Sequence, residues 1–233
     1  MRDLITLVIS IIVSNIAALP YYFSWILVQN MGRFWQLQFW IFTFFTFPWV
    51  FLLFVAVYKK MRGIGLKPEV FDLNKNPEKI SKIHKELFFH NFGNSLFYSF
   101  FHHFYDIQAP YLRLMGAKIG KNVSIGKDVL LQDLSVVEIG NDVILGQSCR
   151  ISGHLLARNG KVIIGKVIVG DKTVIGGHAL ISPDVIIGKG CLIGVNALVF
   201  PGSRIPDGTI VPPFTVYKNK TEFKPSAPAL DVP

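Results

Sequence analysis

Two long apolar runs dominate the beginning of the chain. Leu4–Val28 and Phe34–Tyr58 each contain 25 residues and no charged side chain. As a helix, a run of this length spans about 37 Å, more than the roughly 30 Å hydrocarbon core of a bilayer. Residues 1–62 therefore predict a two-helix transmembrane anchor. Two buried helices of a soluble protein would produce the same pattern, and this alternative stays open.

The cations around the two runs predict the orientation of this hairpin. Four of them follow the second run: Lys59, Lys60, Arg62 and Lys67. The connection between the runs carries only Arg33. Because cytoplasmic loops are enriched in Lys and Arg, we expect the rest of the chain on the cytoplasmic side of an inner or plasma membrane.

The next segment, residues 63–116, has the pattern of amphipathic helices. Asn76 and Pro77 are typical of a helix start, as N-cap and first helical residue. The apolar residues that follow share one helical face: Ile80, Ile83, Leu87 and Phe88. Residues 94–107 are aromatic but interrupted by polar residues. This stretch is too short to span a bilayer and predicts a helix lying at the membrane interface.

From Ile119 onward the apolar positions recur every six residues, in two series. The first series is Ile119, Ile125, Leu131, Ile139, Leu145 and Ile151. The second is Ile163, Val169, Ile175, Ile181, Ile187, Ile193, Val199, Ile205 and Val211. This period fits neither a helix nor a hairpin sheet, but is typical of a prism with three short strands in each coil. Residues 117–218 therefore predict an all-β left-handed parallel β-helix of five to six coils, followed by a flexible tail at residues 219–233.

The period fails at two places. Leu131 and Ile139 are eight residues apart, two more than the repeat allows. Ile151 and Ile163 are twelve apart, which keeps the phase, but the residues between them lack the pattern. A loop that leaves one corner of the prism and rejoins it at Ile163 explains the second break. This loop contains His154.

Charge and cysteine content narrow the range of functions. The formal net charge is +9, which suits anionic lipid, a polyphosphate cofactor or nucleic acid. The Lys and Arg residues are scattered and match no nucleic-acid recognition motif, so we expect no nucleic-acid partner. The two cysteines, Cys149 and Cys191, occupy small-residue positions of the repeat and are interpreted as core residues. No metal is expected.

Three stretches of the repeat half resemble the hexapeptide-repeat acyltransferases, and within them the sugar O-acetyltransferase branch. These stretches are RLMGAKIGKNVSIG at residues 113–126, SGHLLARNGKV at residues 152–162, and GKVIVGDKTVIGGHALISPDVIIGKGCLIGVNALV at residues 165–199. The resemblance covers about half of the chain. It implies a homotrimer with active sites between neighbouring prisms and acyl-CoA, such as acetyl-CoA, as co-substrate. It also implies that a loop histidine, here His154, acts as general base on an acceptor hydroxyl or amine.

The resemblance assigns further residues with varying precision. Asp128 lies nearest to the position of an Asn that the family often places before the histidine, and is expected to be catalytic by orienting the substrate or His154. Arg158 and Asn159 of the loop are expected to contact the acceptor. Asp133 is expected to do the same because it lies in the eight-residue break of the period, not because of the resemblance. The family's donor contacts correspond to three positions: Gly177, Val195 and Lys218. The family's glutamate within the loop has no counterpart here, and its terminal Gly-Asn-Pro-Ala is replaced by VPPFTVYKNK.

The predicted anchor favours an acceptor at the membrane, such as a lipid-linked sugar, a lipid headgroup or a small molecule. Two alternatives stay open beside an acyl-CoA-dependent enzyme. One is an amide-forming module that uses another activated acyl donor, and the other is a non-catalytic binding or scaffold module. A carbonic anhydrase of the same fold is disfavoured. It needs three zinc-binding histidines, and the repeat half has only His154 and His178.

Overall fold

The computed structural model describes residues 2–87, 105–157 and 159–218. Residues 94–104 of the predicted interfacial helix, the predicted tail and Arg158 lie outside these ranges. The chain forms two compact units, Met1–Gly63 and Ile64–Pro233.

The first unit is a pair of helices, α1 (Arg2–Val28) and α2 (Arg33–Met61). The four residues between them are too few for anything but an antiparallel arrangement. Polar and aromatic contacts join the helices; for example, the Tyr21 hydroxyl donates to Thr46 Oγ1 at 3.0 Å, and the rings of Trp25 and Phe39 lie 5.5 Å apart. The predicted pairing of two helices is therefore observed.

Large apolar side chains cover the outside of this helical pair. Among them Phe23, Leu27, Phe34, Phe42 and Phe44 are all exposed. Within the described part of the chain, α2 is the one helix long and apolar enough to cross a membrane, judged by length and composition. One such helix near the start of a chain is weak evidence for a membrane span, so the predicted transmembrane hairpin is not confirmed.

The second unit begins with a short strand and helices. β1 (Glu69–Asp72) is followed by the 3₁₀ turn η1 (Pro77–Lys79) and by α3, residues 80–87. A helix does start after Asn76, as its sequence predicts. β1 was not predicted. α4 (Tyr105–Leu114) leads into the repeat.

The repeat forms a three-sided parallel β-solenoid of five coils in the described residues. The first coil contains β2 (Lys118–Ile119), β3 (Ser124–Ile125) and β4 (Leu130–Leu131). The second contains β5 (Val137–Ile139), β6 (Ile144–Leu145) and β7 (Arg150–Ile151). The last three coils contain β10 (Val167–Val169), β11 (Val174–Ile175), β12 (Leu180–Ile181), β13 (Ile186–Ile187), β14 (Leu192–Ile193), β15 (Leu198–Val199), β16 (Arg204–Ile205), β17 (Ile210–Val211) and β18 (Val216–Tyr217).

Each face of the solenoid is one parallel sheet. The first face has the order β16-β13-β10-β5-β2, the second β17-β14-β11-β6-β3, and the third β18-β15-β12-β7-β4. The aliphatic residue that ends each strand points inward and stacks on its counterpart, so that Ile181, for example, pairs with Ile151 and Val199. Burying each such side chain contributes about 1.5–3 kcal/mol. The coil prediction is confirmed; its left-handed sense stays a prediction.

The corners between faces follow one backbone rule. Ten non-glycine residues in the described chain have positive φ, and nine of them come three residues after an inward aliphatic residue. These nine are Asn122, Asp128, Asp142, Ser148, Lys172, His178, Asp184, Asn196 and Phe214. The exception is Asp133, which comes only two residues after Leu131. The regular corner geometry therefore fails at the first break in the period.

Both breaks occur where the chain turns from the third face to the first. After the first coil, the extra residues form the 3₁₀ turn η2 (Leu134–Val136). After the second coil, the chain forms a hairpin of β8 (His154–Leu156) and β9 (Lys161–Ile164). β1 pairs with β9 to complete an antiparallel sheet of order β1-β9-β8. The expectation that the loop rejoins the prism at Ile163 is wrong, because Ile163 belongs to β9 and the coils resume with β10.

Candidate active site

Strand register brings the two breaks together. In the third face Leu131 pairs with Ile151, and the backbone N–H of Gln132 donates to the Ile151 carbonyl at 2.9 Å. The residues that follow each strand therefore leave the same corner in adjacent coils. This stacking places Asp133 beside His154, although 20 residues separate them in the chain.

Asp133 and His154 form a close pair. His154 Nδ1 lies 2.6 Å from Asp133 Oδ2, and the same oxygen accepts the backbone N–H of Gly153 at 3.0 Å. The Asp133 side chain is fully buried, whereas 24% of the His154 side chain is exposed. A buried carboxylate that accepts Nδ1–H fixes the ring orientation and leaves Nε2 as the proton acceptor. The pair has the arrangement of a general base with its orienting carboxylate.

Local backbone geometry explains why these residues meet. Asp133 adopts the left-handed conformation, with φ 59° and ψ 52°, and precedes η2 as its N-cap. On the facing coil, a Cβ on Gly153 would lie 2.4 Å from Val136 Cγ2 and 2.9 Å from Asp133 Cβ. Only glycine fits this approach. The second carboxylate oxygen, Oδ1, is buried and has no hydrogen-bond partner among the described residues.

The hairpin carries further side chains near the pair. Ser152 Oγ donates to the His154 carbonyl at 2.9 Å and thereby holds the start of β8. Leu155 and Leu156, which follow His154 directly, are 39% and 56% exposed. Asn159 lies in the hairpin turn, where its Oδ1 accepts the backbone N–H of Lys161 at 3.1 Å. The observed contact of Asn159 is therefore structural, and its predicted contact with an acceptor stays a prediction.

Asp128 does not pair with His154 within one chain. It is an exposed corner residue between the second and third faces, where it shares its backbone conformation with Ser148 and His178 of the next two coils. The carboxylate that contacts His154 is that of Asp133, for which the sequence predicted only substrate binding. The six-residue period, which places an αL residue at this corner in every coil, accounts for the conformation of Asp128. A catalytic role for Asp128 stays a prediction.

Two of the predicted donor-binding residues, Gly177 and Val195, lie on another edge of the prism from His154, and the third, Lys218, lies on the same edge three coils further along. Gly177 and Val195 occupy the corner between the second and third faces, where the Asn196 N–H donates to the Gly177 carbonyl at 3.0 Å. Lys218 follows β18, and its ammonium group lies 4.5 Å from the centre of the Phe200 ring, a cation–π distance. Within a single chain these three residues and His154 do not form one site.

A groove of about 560 Å³ runs along the first face near α4. Two of its charged side chains pair with each other: Lys118 Nζ lies 2.6 Å from Glu138 Oε1. Lys166, outside the groove lining, lies 2.9 Å from the same oxygen. Burial acts to raise the pKa of Glu138, but the hydrogen bonds from these two lysines outweigh it and hold the pKa below its usual range. The groove contains none of the predicted site residues.

Two observations concern possible metal ligands and thiols in the described part of the chain. No group of three or more His, Cys, Asp or Glu side chains there could hold a metal ion. Both cysteines are free and buried, and burial raises the pKa of the Cys149 thiol to about 12. A thiol with so high a pKa is not a nucleophile at neutral pH.

No protein-family model and no curated protein matches the chain. Solved structures of similar fold include a hexapeptide-repeat-containing acetyltransferase from Vibrio cholerae, at 21% identity and TM-score 0.39. The match covers 46% of this chain and 65% of the Vibrio chain, so less than two thirds of that protein is matched. The same protein has been solved with acetyl-CoA.

Two further solved structures are similar. A maltose O-acetyltransferase from Clostridium difficile is 16% identical over 63% of this chain and 85% of that chain, with TM-score 0.34. An N-acyltransferase from Bacillus cereus, solved with dTDP-4-amino-4,6-dideoxyglucose and coenzyme A, is 21% identical over 43% of this chain and 81% of that chain, with TM-score 0.31.

Proposed function

We propose that the chain is a membrane-anchored acyltransferase. It transfers an acyl group, in the simplest case acetyl, from acyl-CoA to a hydroxyl or amine of a membrane-associated acceptor. The observation that carries this proposal is the 2.6 Å contact between His154 Nδ1 and the buried Asp133 carboxylate. A regular solenoid needs no such pair, and it occurs where both breaks of the repeat meet.

The proposed reaction uses His154 as general base. Asp133 holds the Nδ1 proton, so Nε2 takes the proton of the acceptor O–H or N–H as the acceptor attacks the thioester carbonyl. Backbone N–H groups at a prism corner stabilise the tetrahedral oxyanion. Collapse of this intermediate breaks the C–S bond and expels CoA thiolate, which receives the proton from Nε2. Asp133 stabilises the imidazolium that exists between the two proton transfers.

The donor site is proposed to lie between chains. In one prism Gly177, Val195 and Asp128 lie on another edge from His154, and Lys218 lies three coils away from it. A second copy can bring such an edge to His154, which supports a homotrimer as the active form. On the acceptor side, Arg158 and Asn159 are proposed to contact the acceptor from the hairpin turn.

Exposed apolar surface supports the membrane part of the proposal. The first unit presents bulky apolar side chains to its surroundings on both helices, and a bilayer would cover them. At the site itself, Leu155 and Leu156 are exposed beside His154. Leucines in this position favour an acceptor with an apolar portion, such as a lipid-linked sugar or a lipid. The cations at the end of α2, Lys60 and Arg62, support a cytoplasmic solenoid.

Substitution of His154 by Ala tests the enzymatic role. The full chain in detergent is incubated with radiolabelled acetyl-CoA and a membrane lipid extract, and labelled products are separated and identified by their mass increase. We expect His154→Ala to lower labelling by about 10²-fold or more, because general-base catalysis contributes about 10²–10⁴-fold. His178→Ala, which removes an exposed corner histidine, is the matched control.

Two outcomes would contradict the proposal. Equal labelling by wild type and His154→Ala would remove His154 from the reaction. A folded wild-type chain that neither binds acetyl-CoA nor transfers its acetyl group would favour the scaffold module or the module with another acyl donor.

A further inference from the structure

The segment between the helical pair and the solenoid packs against the corner that carries the His154–Asp133 pair. β1 pairs with β9 over four residues, from Glu69 with Ile164 to Asp72 with Lys161. A buried cluster joins this segment to the corner. It contains Leu66, Phe71 and Ile83 from the segment, Val136 from η2, and Val162 and Ile164 from β9. Residues 64–87, named here the linker cap, thus cover the outside of both breaks.

Two hydrogen bonds connect the linker cap to η2, and both involve Ser135. Ser135 Oγ accepts the backbone N–H of Leu66 at 2.8 Å. The backbone N–H of Ser135 donates to Glu86 Oε1 at 3.3 Å. Glu86 lies on α3 and is 1% exposed. A carboxylate this deeply buried is costly unless hydrogen bonds compensate it, and the Ser135 N–H supplies one of them.

η2 needs support from outside. A 3₁₀ turn of three residues is marginal by itself, and its first N–H groups lack intrahelical partners. The residue directly before it, Asp133, is held in a left-handed conformation outside the regular corner rule. Ser135 is two residues after Asp133, so an acceptor for its N–H restrains the backbone that sets the Asp133 side chain. Glu86 supplies that acceptor.

We propose that Glu86 is a positioning residue that acts through Ser135 and Asp133 on the orientation of His154. It touches neither acceptor nor donor. The linker cap directly follows the two helices in the chain. Through these contacts it determines the geometry of the His154–Asp133 pair. The consequence for catalysis rests on the proposed function. The effect of Glu86 on the orientation of His154 does not, because it is a property of the free protein.

The proton on His154 Nδ1 reports this positioning. In the full chain, isotopically labelled at histidine and held in detergent micelles, the Nδ1–H bound to Asp133 gives a downfield resonance that His154→Ala identifies by its loss. Removing one supporting hydrogen bond costs about 1 kcal/mol, so we expect Glu86→Ala to speed exchange of this proton with water about fivefold to tenfold. Glu86→Gln retains an oxygen acceptor and should restore slow exchange. Glu78→Ala, which removes an exposed carboxylate from η1, should leave exchange unchanged.

A second variant covers the case in which Glu86→Ala does not fold. Glu86→Asp keeps the charge but shortens the side chain by one methylene, so its carboxylate withdraws from Ser135 and faster exchange is expected. Unchanged exchange in a folded Glu86→Ala or Glu86→Asp protein overturns the proposal, as does a Glu86→Gln protein that exchanges as fast as Glu86→Ala. If exchange changes as expected while His154→Ala keeps full acyl transfer, Glu86 positions His154 but the proposed function fails.

Discussion

The regular coils and the corner that carries His154 obey different structural rules. From Val167 to Tyr217 each residue repeats the surroundings of its counterpart in the next coil, through parallel pairing and an inward aliphatic residue. At the corner, an irregular 3₁₀ turn, an antiparallel hairpin and the linker cap meet instead. The coils supply a regular register, and the proposed chemistry lies where that register is interrupted. Substitutions at the corner should therefore lower activity, and substitutions in the core of the coils should lower stability.

The largest effect is expected on activity, at Asp133. Asp133→Ala removes the carboxylate that orients His154 and stabilises its imidazolium, so we expect kcat/KM to fall by about 10²–10⁴-fold. The coils do not depend on this side chain, and the circular dichroism spectrum should stay that of a solenoid. Steady-state transfer from acetyl-CoA measures the loss.

Asp128→Ala is the matched control for Asp133, because Asp128 has the same side chain in a similar left-handed conformation at a regular corner. A small effect at Asp128 with a large one at Asp133 would assign the orienting role to Asp133. A large effect at Asp128 alone would return that role to the position nearest the family's asparagine.

In the coils, substitution of a core residue should lower the free energy of unfolding. Ile181 is fully buried and stacks between Ile151 and Val199, so Ile181→Ala leaves a cavity and should cost about 2–5 kcal/mol of unfolding free energy. Chemical denaturation followed by circular dichroism measures this. Below the unfolding transition, kcat should change little, since the corner keeps its contacts.

The neighbouring Leu180 controls for this experiment, since it points outward and is partly exposed. Leu180→Ala should cost well under 1 kcal/mol in the monomeric solenoid. Equal destabilisation by both substitutions would show that the outer face is also covered, as an interface between copies would require.

Substitution of Gly153 should lower both stability and activity. Gly153→Ala puts a Cβ against Val136 and Asp133, and relief of this clash must displace η2 or β8. Overpacking of this kind costs about 1–3 kcal/mol, and the displaced Asp133 should also lower kcat. Thermal unfolding and acyl transfer are measured on the same sample.

Gly65→Ala is the comparison for Gly153→Ala, because a Cβ there meets its nearest neighbour, Ser135 Cβ, at an ordinary 3.5 Å. It should leave both quantities nearly unchanged. Full activity in a folded Gly153→Ala protein would contradict the close coupling of Gly153, Asp133 and His154.

The coils could be predicted from the sequence more fully than the corner that carries His154. The six-residue period predicts the coils because each position repeats the same local requirement. It also locates both breaks and His154. It does not reveal that the breaks stack, since the pairing of Asp133 with His154 depends on the register between coils.

The linker cap was harder to predict. β1 has four residues, and its partner β9 lies some 90 positions later in the chain, so no local pattern marks the pairing. Ile163 keeps the six-residue phase across the hairpin and is buried, yet it belongs to the antiparallel sheet. A buried aliphatic residue in phase therefore does not by itself identify a coil position.

The smallest expected effect lies on the first face of the coils, at Glu138. Hydrogen bonds from Lys118 and Lys166 overcome the effect of burial and lower the pKa of this carboxyl in the folded protein. A lowered folded-state pKa stabilises the fold above the unfolded-state pKa, and this stabilisation is lost as pH falls through the folded-state value. Glu138→Gln should therefore reduce stability at neutral pH by about 0.2–1 kcal/mol, as is usual for partly exposed ion pairs.

The difference from wild type should shrink in acid and in high salt, because protonation and screening both weaken the pairs. Denaturation at neutral and acidic pH measures it, with kcat at neutral pH expected to stay constant because the pairs lie outside the His154 corner. A loss of activity at constant stability would instead place Glu138 in the site.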